Sequence, residues 1–391
     1  MKNTLEHISF KFNSSLGEKT INLLGQCYAF IKSMLNTPIR PDYRKQLHSV
    51  SLNKGALATT AIEGNTLSDE DLAQIQSGRD LEPSRKYQQQ EVQNILKAFD
   101  TILGELVREK TPEIISPELI QRFNKMVGEN IGEAFNGNPG HFRRGNVIVG
   151  VVYRPPSFEK VEAFIQKFCD WLIRDFHYKQ EQNFDEAVLE AIVSHIYIAW
   201  IHPFMDGNGR TARLLEFYIL MRAGIPSIAS HILSNHYNKT RTEYYRQLQY
   251  ASETGNLNMF IQYALEGFRD GLEDTIEIIH RDQTESTWNN YVHDVTEKMQ
   301  DEGKNPNTLR RIRQLAYYIP AGRFYNLEEI ALLSPKIAGE YLKYNPITLR
   351  RDLDLLVEKE LLKTEKNKYR ANHELLNNFM PETSIPLKRH Y

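Results

Sequence analysis

Twelve consecutive residues, His202-Pro-Phe-Met-Asp-Gly-Asn-Gly-Arg-Thr-Ala-Arg213, combine a base, a carboxylate, two glycines and two arginines. An imidazole titrates near neutral pH, so His202 could accept a proton from an attacking hydroxyl. Asp206 is a hard oxygen ligand of the kind Mg2+ takes. Gly207 and Gly209 permit a turn whose N–H groups point at phosphate oxygens. From about Asn208 the chain reads as a helix, and its positive N-terminus would face the same anion. Arg210 and Arg213 stand three apart, on neighbouring positions of one helical face. Their planar, permanently charged forks suit phosphate.

Two common nucleotide sites are excluded. Gly207 to Ala212 fits the dinucleotide fingerprint G-x-G-x-x-A, but that fingerprint requires a preceding strand. Here Val188, Ile192, Ile196 and Ala199 recur at helical spacing before it. No G-x-x-x-x-G-K-[ST] run occurs in the chain, so there is no P-loop. A helical zinc site is equally unsupported: His231 and His236 are five apart, and no H-E-x-x-H run exists. His195 reads as a packed helix residue.

Taken whole, the stretch resembles the Fic family motif HPFx(D/N)GNGRxxR, with every defining position filled. The resemblance implies an all-helical core that transfers a nucleotide monophosphate, usually AMP from ATP, to a protein hydroxyl. By resemblance His202 is the general base, Phe204 a buried anchor, and Asp206 the holder of Mg2+. Gly207, Asn208 and Gly209 then cradle the phosphates, and Arg210 and Arg213 grip the outer ones. Thr211 and Ala212 fall within the same ATP-binding run. Attack at the α-phosphorus does need a base and neutralisation of the departing pyrophosphate.

A second signature, (S/T)xxxE(G/N), is met by Thr59 to Gly64, about 140 residues earlier. It resembles the inhibitory helix of Fic proteins that carry this segment in the same chain, N-terminal to the core. A Glu63 carboxylate paired with Arg213 would occupy the guanidinium that otherwise holds the γ-phosphate. Glu63 thus counts both as the inhibitory residue and as part of the ATP site. A third segment, Val147, Ile148, Val149, Gly150 and Val151, has β-branched residues around a glycine and reads as a hairpin. In the family it is a flap that aligns the target chain by strand addition. Tyr244 and Tyr245 sit where family members place adenine-contacting aromatics, although two amphipathic core tyrosines would give the same pattern.

The elements that must position these residues are mainly α-helical. Ser51 to Ile62 reads as a short helix stopped by Glu63-Gly64-Asn65. Ser68 to Asp71 resembles a capping box. Val92, Ile95, Leu96, Phe99, Leu103 and Leu106 form the stripe of a longer helix. Ser116-Pro117 opens another, as N-cap and N1. Helices are expected from about 159 to 176 and 185 to 201. The motif helix should run to Gly224 and Pro226, and another should span Thr240 to Ala251.

Polar residues dominate near 280–308, where a domain boundary and linker are expected. Beyond it come helices at Leu327 to Leu333 and Pro346 to Leu356, then a short hairpin at Leu361 to Arg370. That order resembles a winged helix-turn-helix, as in many bacterial Fic proteins. Residues 346–370 carry seven Lys/Arg and five Asp/Glu. That excess is weak for reading DNA, so DNA binding and a protein-interaction role both stay open. The expected division is 1–110, a helical regulatory segment with the inhibitory motif 59–64; 111–280, the Fic core; and 281–391, linker and winged helix.

Composition bounds the rest. The 391 residues are 41% hydrophobic and 25% charged, with net charge −2, which gives no global attraction to nucleic acid or anionic membrane. No run of ~20 apolar residues spans a bilayer. Two cysteines, Cys27 and Cys169, offer neither a disulfide framework nor metal spacing, as expected of a cytoplasmic protein. The implied partners are ATP, Mg2+, a target protein and the chain itself, and the class admits a homodimer. Alternatives are the same fold with another nucleotide, removal of AMP with Glu63 orienting water, or a DNA-binding regulator that senses nucleotide.

Overall fold

The computed structural model describes residues 7–11, 16–150, 153–177 and 183–379. The chain forms two compact units, Met1–Ile276 and Glu277–Tyr391. The described structure is mainly α-helical, with one two-stranded antiparallel sheet.

In the first unit the helices are α1 (Glu18–Asn36), α2 (Pro41–Ala61), α3 (Asp69–Gln76), α4 (Lys86–Leu103) and α5 (Pro117–Gly128). They are followed by α6 (Val161–Asp175), α7 (Phe184–Ile201), α8 (Asn208–Arg222), α9 (Ile232–Lys239) and α10 (Arg241–Thr254). Helix α11 (Asn258–Asp301) begins here and contains the boundary between the units. The centre is the pair α7 and α8. Residues Ala187 to Ile198 of α7 and Arg210 to Met221 of α8 are all buried. A helix covered on every side has no solvent face to keep polar, which is why α7 is apolar all round. Helices α4 and α5 lie against α8: the Phe99 and Phe217 rings are 4.3 Å apart, and those of Phe123 and Tyr218 5.4 Å.

The local signals act as chemistry dictates. Ser68 and Asp71 form a reciprocal capping box on α3. Ser116 accepts from the Leu119 N–H with Pro117 in the first turn of α5. The stripe of α4 is buried at Val92, Ile95, Phe99 and Leu103, and the chain then widens into a π-helical turn, Gly104–Glu109. Helix α2 starts ten residues before the expected Ser51. Pro41 sets its first turn, but between 42 and 50 only Leu47 is buried, so no apolar period marks that half.

The second unit is built from the later part of α11 with α12 (Pro306–Tyr318), α13 (Leu327–Ala331), α14 (Pro335–Tyr341) and α15 (Pro346–Glu358). It closes with the strands β1 (Leu362–Glu365) and β2 (Lys368–Ala371). The polar stretch expected as a linker is largely helix. Trp288, Val292 and Met299 give α11 a buried stripe beneath an otherwise charged surface. These residues pack with Leu309, Ile312 and Leu315 of α12 and Leu353 and Leu356 of α15. A buried ion pair, Arg311 Nε to Asp352 Oδ2 at 2.5 Å, joins α12 to α15, and the Tyr341 hydroxyl donates to the same carboxylate. Lys366 and Asn367 both take positive φ, as a tight two-residue hairpin requires. Tyr325 pairs with Tyr369 by two backbone bonds beside β2.

Replacing Phe217 by Ala should remove the ring that fills the seam between α4 and α8. The expected cost is about 3–5 kcal/mol in the first unit. Urea denaturation followed at several probes checks it, and a cost below about 1 kcal/mol would mean that this seam is not a close-packed core.

Candidate active site

The site lies between the end of α7 and the start of α8. His202 caps α7 in the left-handed conformation, at φ +48°, with its N–H donating to the Ile198 carbonyl. The loop from Pro203 to Gly207 folds on itself. Asn208 holds it shut: its amide nitrogen donates to the Phe204 carbonyl and its oxygen accepts from the Phe204 N–H, both at 2.9 Å. Phe204 is buried, packed on Phe142 at 5.4 Å between ring centres. Gly207 has φ +75°, and a Cβ there would press on Asn124, Phe135 and Val127. Glycine is therefore required by both conformation and space.

The burial of His202 lowers its pKa to about 4, and the nearby Arg143 charge adds to this. The Ala199 carbonyl and the carboxylates Glu63 and Asp206 pull the other way. The imidazole is thus neutral at physiological pH, and its Nδ1 is buried. Asp206 is only partly buried. One of its oxygens accepts from Arg210 Nη2 at 3.0 Å and the other from the Asn136 N–H at 3.0 Å. As a carboxylate that is only 28% exposed yet reachable from solvent, it fits Mg2+, which keeps waters and shares phosphate oxygens instead of sitting in a protein cage. Among the described residues no cluster of three or more His, Cys, Asp or Glu is placed to enclose a metal.

Arg213 is fully buried. Its Nη2 meets Glu63 Oε1 at 2.6 Å and the Thr59 carbonyl at 2.9 Å, while Nε and Nη1 have no partner. Glu63 reaches it from the turn that ends α2. Burial works to raise the Glu63 pKa, but Arg213 outweighs it, helped by Arg210 and His202, and the group is held below its ordinary value. The same carboxylate oxygen lies so close to Gly209 that any Cβ there would collide with it. Glu63 therefore rests against the N-terminal turn of α8, where an anion would be drawn. Two contacts hold the turn itself. Asn65 donates to Glu91 and to the Gln88 carbonyl of α4, each at 2.9 Å, and the Tyr245 hydroxyl donates to the Ile62 carbonyl at 3.1 Å.

The remaining expected residues divide by exposure. Arg210 is engaged by both Glu91 and Asp206. Thr211 and Ala212 turn their side chains into the core, where the Thr211 hydroxyl accepts from Asn124. Tyr244 is buried with its hydroxyl 2.8 Å from His195 Nε2, whereas Tyr245 is 45% exposed above the Glu63 turn. His195 is wholly buried beside Glu216, at 3.1 Å. Val147, Ile148, Val149 and Gly150 alternate between half-buried and exposed, as an extended edge does. Among the described residues the hairpin is one bridge, Val149 with Tyr153, around Gly150 at φ +59°. Val151 lies outside the described residues.

Some site residues carry little sequence signal. Asn124 is fully buried on the apolar face of α5 and donates to the Asp206 carbonyl at 3.0 Å. A polar residue on an apolar stripe is the one sign that could have found it. Arg143 stands beside a second arginine, Arg144, and Glu91 in a glutamine-rich run, and nothing in their spacing singles them out.

Residues 114–220 match the Fic/DOC family. The chain is 31% identical over 210 residues to the protein adenylyltransferase fic-1 of Caenorhabditis elegans, covering 52% of this chain and 37% of that one. It is 30% identical over 206 residues to the protein adenylyltransferase Fic of Nematostella vectensis, covering 52% and 44%. It thus spans less than half the length of these curated relatives. A crystal structure of a Fic family protein from Desulfovibrio desulfuricans G20 superposes with TM-score 0.55 at 17% identity, covering 93% of this chain and 98% of the other. Residues 134–508 of C. elegans Fic-1 superpose with TM-score 0.54 at 24% identity, covering 67% and 73%. The motif, its geometry and these matches agree in likening residues 114–220, which carry His202 to Arg213, to the Fic/DOC family.

Proposed function

We propose that this protein transfers AMP from ATP to a Ser, Thr or Tyr hydroxyl of a protein, itself included, and that Glu63 restrains the reaction. The observation that carries this reading is the Glu63 carboxylate on Arg213, against Gly209 and within the field of His202. The names of the curated relatives, protein adenylyltransferases, support the reaction class.

In the proposed chemistry, His202 Nε2 takes the proton of the target hydroxyl as its oxygen attacks the α-phosphorus. The bond from that phosphorus to the β-phosphate oxygen breaks, and pyrophosphate leaves with the electron pair. Asp206 would hold Mg2+, which neutralises phosphate charge when bound. The N–H groups at the start of α8, with Arg210, would receive the phosphates. The unpartnered donors of Arg213 would take the outermost phosphate once Glu63 withdraws. The flap would add the target chain as a strand at Val147 to Val149. The second unit reads as a winged helix-turn-helix, with α14 and α15 as the helix pair and β1–β2 as the wing. No described helix is long and apolar enough to cross a membrane. Cys27 and Cys169 are unpaired and buried, which supports a reducing, cytoplasmic setting.

Glu63→Gly should raise self-modification with ATP by about tenfold or more, since a charged hydrogen bond of about 1.5–3 kcal/mol no longer competes. Adding Arg213→Ala should cancel the gain. Intact-mass measurement with each of the four triphosphates reads donor and activity together. No rise with any of them, in a variant that still melts cooperatively, would discard the inhibitory role.

In the activated background His202→Ala should slow transfer by about 100-fold or more while ATP still binds. Wild-type transfer in that variant would reject His202 as the base.

The rate should also stay level with falling pH well below the ordinary histidine value of about 6.5. His202 acts as a base only when neutral, and its pKa of about 4 keeps it neutral until then. Removing Glu63 takes away an influence that raises this pKa, so the acid limb should not move up. A rate–pH profile with its fall centred near 6.5 would contradict the burial described.

A further inference from the structure

Arg143 has no assigned role, yet it makes four hydrogen bonds at the most constrained point of the site. Its backbone N–H donates to the Pro203 carbonyl at 2.9 Å. Its Nε donates to the His202 carbonyl at 2.8 Å and its Nη1 to the Gly145 carbonyl at 2.9 Å. Its Nη2 donates to the Pro156 carbonyl. The side chain is buried, and the bonds it makes all go to backbone carbonyls. A desolvated cation spent on three carbonyls is costly, so its geometry must be worth keeping.

The three acceptors are not neighbours in sequence. His202 carries the imidazole on a left-handed backbone that non-glycine residues rarely adopt. Gly145 and Pro156 flank the flap segment Val147 to Val151 in sequence. The neck they form is tied again where the Phe158 N–H meets Asn146 Oδ1 at 3.1 Å. A planar guanidinium is the one side chain with rigidly spaced donors for three directions at once.

We propose that Arg143 is a positioning residue that fixes the flap and His202 as one rigid unit, setting the distance between the strand that presents the target hydroxyl and the base that deprotonates it. The proposal rests on the reading of His202 as the base and of Val147 to Val151 as the target-presenting flap. It makes ATP binding and hydroxyl placement separable: Arg143 touches neither the α8 N-terminus nor Arg213, so its loss bears on the second alone.

The test uses the full-length chain carrying Glu63→Gly, with His202→Ala, Arg143→Lys and the pair added to it. Arg144→Lys, at the exposed neighbour, is the control. Lysine keeps the charge but cannot span three carbonyls. Initial rates of self-modification and calorimetric titration with Mg-ATP are measured on each, after melting curves. Arg143→Lys should lower the rate by roughly 100-fold, as misplacement of reacting groups does. ATP affinity should stay within about twofold, because the phosphate contacts are untouched. The pair should be about as slow as His202→Ala alone, because both act on one step. An unchanged rate, an equal loss in rate and ATP affinity, or a full additional penalty in the pair would each overturn the proposal. If Arg143→Lys does not fold, Arg143→Gln, which retains two amide donors, carries the same expectations. A fast His202→Ala sinks the base assignment itself; a slow His202→Ala beside a fast Arg143→Lys sinks only the positioning role.

Discussion

A fully buried guanidinium governs this structure. Arg213 lies inside α8, and an uncompensated buried charge costs several kcal/mol. Among the described residues one carboxylate stands within ion-pair distance, that of Glu63. Satisfying Arg213 brings the end of α2 down onto α8. The chain must then stop α2 sharply, which Gly64 does at φ +103°, and anchor the exit, which Asn65 does on α4. Even so, two donors of Arg213 stay unmet. The pair is a compromise: close enough to offset the charge, too sparse to use every donor.

Around that pair the fold provides rigidity in two layers. The inner layer is α7 with α8, buried together, so that the loop between them has fixed ends. The outer layer is polar and works through carbonyls: Asn208 closes the loop, Asn124 holds its Asp206 carbonyl, and Arg143 holds the carbonyl of His202. A functional loop built this way derives its order from hydrogen bonds inside a dry frame, where each is worth more than in water.

Much of this was legible in the sequence because it is local. The motif, its helix, the capping box at Ser68, the Ser116-Pro117 start and the terminal hairpin each depend on residues within a few positions of one another. What escaped depends on distant pairings. Arg143 and Glu91 look like any surface charge until the fold places them beside His202 and Arg210. Tyr244 and Tyr245 are adjacent and alike in sequence, and only packing sends one inward and the other outward. The first half of α2 is not legible as helix because Leu47 is its single buried residue between 42 and 50, and the stripe Trp288, Val292 and Met299 of α11 lies within a sequence dominated by charge.

Glu63 and Arg213 belong to the same compact unit, and that connectivity decides what kind of ion pair they form. A carboxylate tethered next to its partner acts at an effective concentration in the millimolar range or above, however dilute the protein. A free anion aimed at Arg213 would have to overcome that fixed local concentration, and diluting the protein would never weaken it. Occupancy of the guanidinium is therefore a matter of geometry, answerable to whatever moves the turn after α2.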